Sequence, residues 1–306
     1  MFVLCFALLH SPRMPPECHA LAYLCREVPA WSKEHKCFSC HNNGDAACAL
    51  LTAVRVGFKI PDTALDDTAH WLTSPQNWAK NDPDAKYADK QLDTLQFGVA
   101  LLEAMDAGKF KERDPLDKAA ELVAALQHRD GYWPIGPNGT LGSPVTHGAT
   151  LATVDARRIL QRANAAKYKQ AIKNADQWLR EKQPKTVVDA AALLLALDKG
   201  EDDDSAKRRK ECLAILRKGE AKDAGWGPYV NAAPEVFDTA LVTVALSRQP
   251  RSEEIRTWLK RGRAYLLSKQ QKDGSWPETT RPSGAESYAQ RLSTTAWATQ
   301  ALLATR

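Results

Sequence analysis

Six apolar stretches recur along the chain, each rich in alanine and each opening on a polar residue. Within them the apolar side chains follow helical spacing, and charges are nearly absent. Segments that are apolar on all sides are typical of helices buried all round. The pattern therefore predicts six buried helices whose opening polar residues act as N-caps. The stretches open at Asp45, Asp93, Thr146, Asp189, Asp238 and Ser293.

A more amphipathic stretch precedes each apolar one, with charges on one face and leucines on the other. Between 43 and 55 residues separate successive apolar stretches, which leaves room for two helices and their loops in each unit. The sequence predicts an all-α domain of six helix pairs, with the apolar helices inside and the amphipathic helices outside. The predicted outer helices cover residues 16–34, 62–72, 114–127, 167–182, 205–218 and 252–270.

Two loops between an outer and an inner helix share the pattern Q-x-x-D-G-x-W, one from Gln127 to Trp133 and one from Gln270 to Trp276. With the helix repeat, they make the sequence resemble the α/α toroids of the squalene cyclase and protein prenyltransferase superfamily. In that family the glutamine and tryptophan tie neighbouring outer helices together. The resemblance implies one toroid over residues 21–306, with a central apolar cavity for an isoprenoid or other apolar small molecule.

The resemblance also raises candidates for the cavity wall. Trp226 and Tyr229 lie in a degenerate copy of the loop motif, where an aromatic face could stabilise a carbocation and where loop packing is the alternative. His147, at the start of the third inner helix, is a further candidate. In an isoprenoid cyclase or transferase, each of these three residues would be a candidate for the wall of the substrate cavity.

The catalytic acid is not evident from the sequence. Cyclases of this family protonate an alkene with an aspartate of a D-x-D-D motif, but the nearest acidic run here, residues 201–204, falls in a connecting loop. Prenyltransferases bind zinc through Asp, Cys and His. Asp238 has the matching place at the start of an inner helix, but no cysteine follows two residues later. Asp238 is the candidate catalytic residue, with helix capping as the alternative.

The sharpest local motif is Cys37-Phe38-Ser39-Cys40-His41, which has the C-x-x-C-H form of a covalent c-type haem site. The two thiols would bind the haem vinyl groups and His41 would bind the iron. Zinc is the alternative metal, held by Cys37, Cys40, His41 and either Cys48 or Cys25. A third reading is a structural loop without a ligand. The motif makes a haem or zinc protein built on a toroid scaffold the alternative function.

Composition narrows the classes of partner. Hydrophobic residues make up 44% and charged residues 26% of the 306 residues, which is typical of a folded domain. The net charge of +5 comes from interleaved basic and acidic residues, which argues against a nucleic-acid surface. No stretch is long enough to predict a transmembrane helix. Protein partners are not predicted.

The N-terminal residues leave the cellular location open. The apolar stretch 2–9 resembles the centre of a signal peptide, so that residues 1–20 would be a leader and the protein exported or periplasmic. A buried first helix in a cytoplasmic protein is the alternative.

Overall fold

The computed structural model describes residues 14–81, 90–136, 140–197, 202–279, 281 and 287–306. These ranges contain twelve α-helices and, instead of β-strands, one isolated bridge between Glu220 and Trp226. The predicted all-α class is confirmed. No helix in these ranges combines the length and apolar character needed to cross a membrane.

The inner ring begins with a π-helix, Cys40–Ala46, that continues into helix α2, Ala47–Arg55. Each inner helix packs against the next, and the last packs against α2 and the π-helix, so the ring is closed. The architecture is an α/α toroid of six helix pairs, as the repeat predicted. The other inner helices are α4 (Lys90–Asp106), α6 (Gly148–Asn164), α8 (Val187–Ala196), α10 (Val236–Ser247) and α12 (Tyr288–Ala304).

The outer helices lie where amphipathic stretches were predicted. Their apolar faces pack on the inner ring and their charged faces meet solvent, which is the burial pattern expected from amphipathic spacing. The second outer helix is short and is flanked by 3₁₀ turns at Asp62–Ala64 and Pro75–Lys80. The outer helices are α1 (Pro16–His35), α3 (Asp66–Leu72), α5 (Asp114–Ala125), α7 (Lys169–Glu181), α9 (Asp203–Gly219) and α11 (Glu253–Lys269).

The two motif glutamines join neighbouring outer helices. Gln127 Nε2 donates to the carbonyl of Ala171 in α7 at 2.9 Å, and Gln270 Nε2 donates to the carbonyl of Pro16 in α1 at 3.0 Å. The second bond links the last outer helix to the first. Gln270 thereby helps to close the outer ring.

The motif tryptophans are almost fully buried, at 1% and 0% exposure for Trp133 and Trp276. Each indole Nε1 donates at 2.7 Å to a carbonyl near the end of the preceding outer helix, that of Val123 for Trp133 and that of Leu266 for Trp276. A buried indole with its only donor satisfied is a packing residue. Burial of both tryptophans was predicted, and it is confirmed.

None of the six predicted N-caps stands at the N-cap of its helix. Five of them lie inside their helices, and Thr146 precedes His147, the N-cap of α6. Asp189 and Asp238 lie in the first turns of α8 and α10, which begin at Val187 and Val236. The N-cap positions are held by Thr186 and by Glu235, and the Glu235 side chain makes no capping bond. The Thr186 hydroxyl accepts the backbone N–H of Asp189, the bond that the prediction had assigned to the aspartate. The aspartate side chains are therefore available for tertiary contacts.

Helix α1 begins at Pro16, so residues 16–20 of the predicted leader form its first turn. Residues 1–13 lie outside the described ranges. The assignment of residues 1–20 as a leader stays a prediction.

Candidate active site

The inner ring surrounds a cavity of about 620 Å³ that is partly open to solvent. The predicted apolar lining is wrong, because twelve of the nineteen residues that line the cavity are polar or charged. The apolar part of the wall comes from Cys48, Val99, Val154, Leu195, Ala196, Val244 and Trp297. The polar part comes from Asp45, Arg55, Gln96, Glu103, His147, Asp155, Arg157, Arg158, Gln161, Arg162, Arg248 and Gln300.

A buried polar cluster forms one part of the wall, around Asp45, Gln96 and His147. Gln96 Nε2 donates to Asp45 Oδ2 at 2.7 Å and lies 3.2 Å from His147 Nε2. All three residues are at most 7% exposed. Gly44 allows this contact, since a Cβ at that position would lie 2.8 Å from the Cβ of Gln96.

His147 lies between two carboxylates. Its Nε2 is 3.7 Å from Asp45 Oδ1, and its Nδ1 is 3.8 Å from Asp155 Oδ2. The backbone of His147, at the N-cap of α6, has φ 49° and ψ −37°, which is a strained conformation for a residue with a Cβ. Strain of this kind concentrates at functional sites.

Asp155 contributes the second carboxylate from the inward face of α6. Burial raises the pKa of the Asp155 carboxyl above its usual value, and the positive charge of nearby His147 and Arg158 opposes the rise. A carboxyl with a raised pKa retains its proton nearer to neutral pH. Asp155 is therefore suited to act as a general acid toward a ligand in the cavity.

The π-helix positions His41 and Asp45 one turn apart. Its first turn is capped by the Ser39 hydroxyl, which accepts the backbone N–H of His41 at 3.2 Å. His41 Nδ1 lies 2.9 Å from the hydroxyl of Ser293 in α12. Burial lowers the pKa of His41 to about 4, while Asp45 opposes this and His147 adds to it. Irregular helical turns are frequent at functional sites.

Cys37, Cys40, His41 and Cys48 do not form the predicted zinc set in this conformation. Among the described residues, no three His, Cys, Asp or Glu side chains are arranged to hold a metal ion. Cys40 and Cys48 are buried, whereas Cys37 is partly exposed. The geometry gives the haem and zinc hypotheses no support, and haem attachment stays a prediction.

Asp238, the residue selected from the sequence as the catalytic candidate, is fully buried in an ion pair. Its two carboxylate oxygens accept from Arg281 at 2.8 and 3.1 Å. Burial raises the pKa of Asp238, and Arg281 opposes that rise. The residues that line the central cavity do not include Asp238.

Trp226, selected as a cavity residue, is instead a third packing tryptophan. It is 0% exposed, its Nε1 donates to the carbonyl of Leu216 at 2.8 Å, and its backbone N–H donates to the hydroxyl of Thr239. Trp276 makes the same two kinds of bond, with Leu266 and Thr295. The degenerate loop thus keeps the structural role of the motif without its glutamine and aspartate.

Tyr229 is half exposed and lines a second cavity of about 430 Å³. His147 lines both this cavity and the central one, so its selection as a cavity residue agrees with its position. Of the three residues selected for the central wall, only His147 lies there.

Sequence reasoning missed Gln96, Asp155 and Arg158. The sequence does mark these positions by charge. In the third apolar stretch Asp155 is followed by Arg157 and Arg158, although the other apolar stretches are nearly free of charged residues. Charges within an otherwise apolar inner-helix stretch mark a site that packing alone does not explain.

Neither a protein-family model nor a curated protein matches the sequence. Solved structures do match over nearly the whole chain. The apo structure of type II terpene cyclase MstE from Scytonema has a TM-score of 0.62 and 12% identity, covering 95% of this chain and 98% of that one. A variant of the same enzyme in complex with its product, merosterolic acid A, matches with a TM-score of 0.62 and 13% identity, covering 97% and 99%.

A further match is ent-copalyl diphosphate synthase from Streptomyces platensis, with a TM-score of 0.56 and 17% identity. The match covers 85% of this chain and 50% of the synthase. At these identities the matches show a shared fold, which is the terpenoid cyclase-like α/α toroid.

Proposed function

We propose that this protein is an isoprenoid cyclase that protonates a carbon–carbon double bond inside the central cavity. The observation that carries the proposal is the Asp155–His147–Asp45 group, in which two carboxyl groups lie on either side of a buried imidazole in the cavity wall. The structural similarity to type II terpene cyclases supports the same class of reaction. One of those structures holds geranylgeranyl dihydroxybenzoate as substrate.

The proposed acid is Asp155. An alkene is a weak base, so the acid must be pre-positioned and must hold its proton at the working pH. Burial shifts the pKa of Asp155 upward, in the direction that the second condition requires. When the carboxyl proton bonds to one alkene carbon, the other becomes a cation and Asp155 becomes a carboxylate beside His147. A second double bond of the same chain attacks this cation and forms the ring bond, and loss of a proton from a carbon next to the final cation completes the reaction. Substrate and product are then isomers, and Asp155 regains a proton from solvent.

Trp297 is positioned to stabilise the cation. It lines the cavity from α12, and its ring centroid lies 6.2 Å from that of His147 in an edge-to-face arrangement. The face of an indole attracts positive charge, and the attraction is worth about 2 kcal/mol or more when water is excluded. Trp297 therefore has the role that the sequence analysis considered for Trp226.

The departure from D-x-D-D is consistent with this assignment. Asp202, in the only acidic run, caps helix α9 by accepting the backbone N–H of Ser205 at 2.9 Å, and it is exposed on the outer ring. The proposed acid lies instead on the third inner helix. The proposal thus assigns the reaction class of the structural neighbours to a different acid.

The direct test is conversion of an isoprenoid substrate by the purified protein. Geranylgeranyl dihydroxybenzoate and geranylgeranyl diphosphate are incubated separately, and products are separated and identified by mass spectrometry. We expect a cyclic product with the ring skeleton of a protonation-initiated reaction. The substitution Asp155→Asn keeps the shape but removes the acid, and should lower the rate at least about 100-fold.

Asp189→Asn is the matched control. Asp189 is likewise an aspartate on an inner helix, but its carboxylate accepts from the Thr150 hydroxyl at 2.6 Å, a bond that asparagine can also accept. The control should retain wild-type activity. Absence of any cyclic product from the wild-type protein, or equal activity of Asp155→Asn, would contradict the proposal.

A further inference from the structure

Three carboxyl groups line the central cavity, those of Asp45, Glu103 and Asp155. Both oxygens of Glu103 are engaged, because Oε1 accepts from Arg158 at 2.6 Å and Oε2 lies 3.3 Å from Arg55 Nε. The proposed function assigns Asp155 as the acid. Asp45 is left without a role in the reaction.

The surroundings of Asp45 and Asp155 differ. Asp45 Oδ2 accepts a hydrogen bond from Gln96 Nε2 at 2.7 Å. Asp155 Oδ2 lies 3.8 Å from His147 Nδ1, which is longer than a hydrogen bond. A donated N–H bond stabilises a carboxylate, so Asp45 has the surroundings of an ionised group. In enzymes, two carboxyl groups in different surroundings can divide the roles of acid and base between them.

Gln96 also fixes the state of the imidazole between the two carboxyl groups. Its Nε2 lies 3.2 Å from His147 Nε2 as well as 2.7 Å from Asp45 Oδ2. An amide nitrogen carries only donors, so the tautomer that fits this contact has its proton on His147 Nδ1 and its lone pair engaged at Nε2. His147 in this tautomer does not offer a lone pair to a ligand.

The second oxygen of Asp45 has a different position. Among the described residues, none donates a hydrogen bond to Asp45 Oδ1, and His147 Nε2 is 3.7 Å from it. Asp45 lines the central cavity. One oxygen of this carboxylate is thus held by Gln96, and the other keeps a lone pair for a ligand in the cavity.

A purely structural role for Asp45 is the alternative, in which the carboxylate only orients Gln96 and His147. An asparagine would accept the same N–H bond from Gln96 through its side-chain oxygen. It would do so without the free energy that burial of a charge costs at a residue 7% exposed. The structural role explains the contact at Oδ2 but not the negative charge.

We infer that Asp45 is the base that removes the last proton of the cyclisation. The inference rests on the proposed function, which leaves a final cation in the central cavity. Asp45 Oδ1 takes a proton from a carbon next to this cation, and the electrons of the broken C–H bond form the new double bond. Asp45 then releases the proton to solvent as the product leaves, which balances the proton that Asp155 takes up.

The test compares the products of Asp45→Asn with those of the wild-type protein. Asparagine keeps an oxygen for Gln96 and removes the base. The two substrates of the cyclisation assay are incubated in water labelled with heavy oxygen, and the products are identified by mass spectrometry. Asp189→Asn is the control, because the residues that line the central cavity do not include Asp189.

We expect the wild-type protein and the control to form the same main cyclic alkene. Asp45→Asn should consume substrate less than about tenfold more slowly, because protonation of the alkene is the difficult step and Asp155 is still present. Its final cation has no base at the usual carbon, and the cavity is partly open to solvent. Double-bond isomers and alcohols that carry heavy oxygen should therefore replace the main alkene.

The same products from Asp45→Asn as from the wild-type protein, at any rate of reaction, would overturn the inference, because a positioning residue changes the rate alone. Thermal unfolding shows whether each variant is folded, and Asp45→Ser, with the same analysis of products, replaces Asp45→Asn if the latter does not fold. If the wild-type protein forms no cyclic product, the proposed function fails and the inference fails with it. If it does and Asp45→Asn forms the same products, only the inference fails.

Discussion

At the scale of single residues, the site depends on charged groups that the closed ring removes from water. His147 is held between Asp45 and Asp155, and Gln96 fixes the orientation of Asp45. Removing such groups from water costs free energy unless they pair with one another, and inside the ring these side chains contact one another. Burying these groups costs free energy of folding. Contact with a ligand in the central cavity explains why the protein keeps them.

His41 should make the stability depend on pH. Its pKa is about 4 in the folded protein and about 6.5 in an unfolded chain, so between these values the unfolded chain binds more protons. Stability contributed by neutral His41 is therefore present above about pH 6.5 and is lost as the pH falls toward 4, by up to about 3 kcal/mol.

Urea unfolding of the wild-type protein and of His41→Asn, at pH 7 and at pH 4.5, measures this contribution. Asparagine can still contact the Ser293 hydroxyl but does not titrate. The difference in unfolding free energy between the two pH values should be smaller in His41→Asn by about 1 to 3 kcal/mol. Equal differences in both proteins would show that His41 titrates normally.

At the scale of elements, most of the architecture was predictable because hydrophobic spacing determines it. All six outer helices and all six inner helices lie where the repeat placed them, since each depends on a long run of apolar positions. The exact starts of the inner helices were not predictable. The aspartates that open the apolar stretches were predicted to be N-caps. In α8 and α10 the N-cap positions are instead occupied by Thr186 and Glu235.

The site was less predictable than the helices, for a physical reason. Asp155 and Asp45 are far apart in the sequence and meet only because the ring brings α6 and the π-helix to one cavity. Selection by motif favoured Asp238 and Trp226, whose side chains are buried in an ion pair and in a packed loop. A search for charges within otherwise apolar helices would have selected Asp155 from the sequence.

The loop motif should contribute strongly to stability. Trp276 is fully buried and its indole N–H is satisfied, so Trp276→Ala should lower the unfolding free energy by about 3 to 5 kcal/mol. Chemical denaturation measures the change. The control Val56→Ala, at a side chain 45% exposed, should change stability by about 0.5 kcal/mol or less. A loss below about 1 kcal/mol for Trp276→Ala would mean that this tryptophan is not a core residue.

At the scale of the whole molecule, closure joins the first outer helix to the last. Glu17 of α1 forms an ion pair with Arg263 of α11, and Gln270 donates to the carbonyl of Pro16. The Glu17 side chain is 6% exposed, so the pair is largely shielded from solvent. Closure keeps the cavity wall continuous, because the π-helix and α12 meet at the same junction.

Breaking this closure should be more costly than breaking an exposed ion pair. Glu17→Gln leaves Arg263 without its charged partner and should lower stability by about 3 kcal/mol or more. Glu254→Gln, which removes the exposed pair with Arg217 on the outer ring, should cost at most about 1 kcal/mol. Equal losses in the two variants, measured by urea unfolding, would show that the Glu17 pair does not secure the ring.

In the proposed reaction, the closed toroid delivers a proton from its own wall to a substrate alkene. Cyclisation in D₂O, followed by mass spectrometry of the product, tests this transfer. The exchangeable proton of Asp155 becomes deuterium, so we expect about one deuterium bound to carbon in each product molecule and strongly reduced product with Asp155→Asn. A cyclic product without deuterium, or one formed equally fast by Asp155→Asn, would show that Asp155 is not the acid.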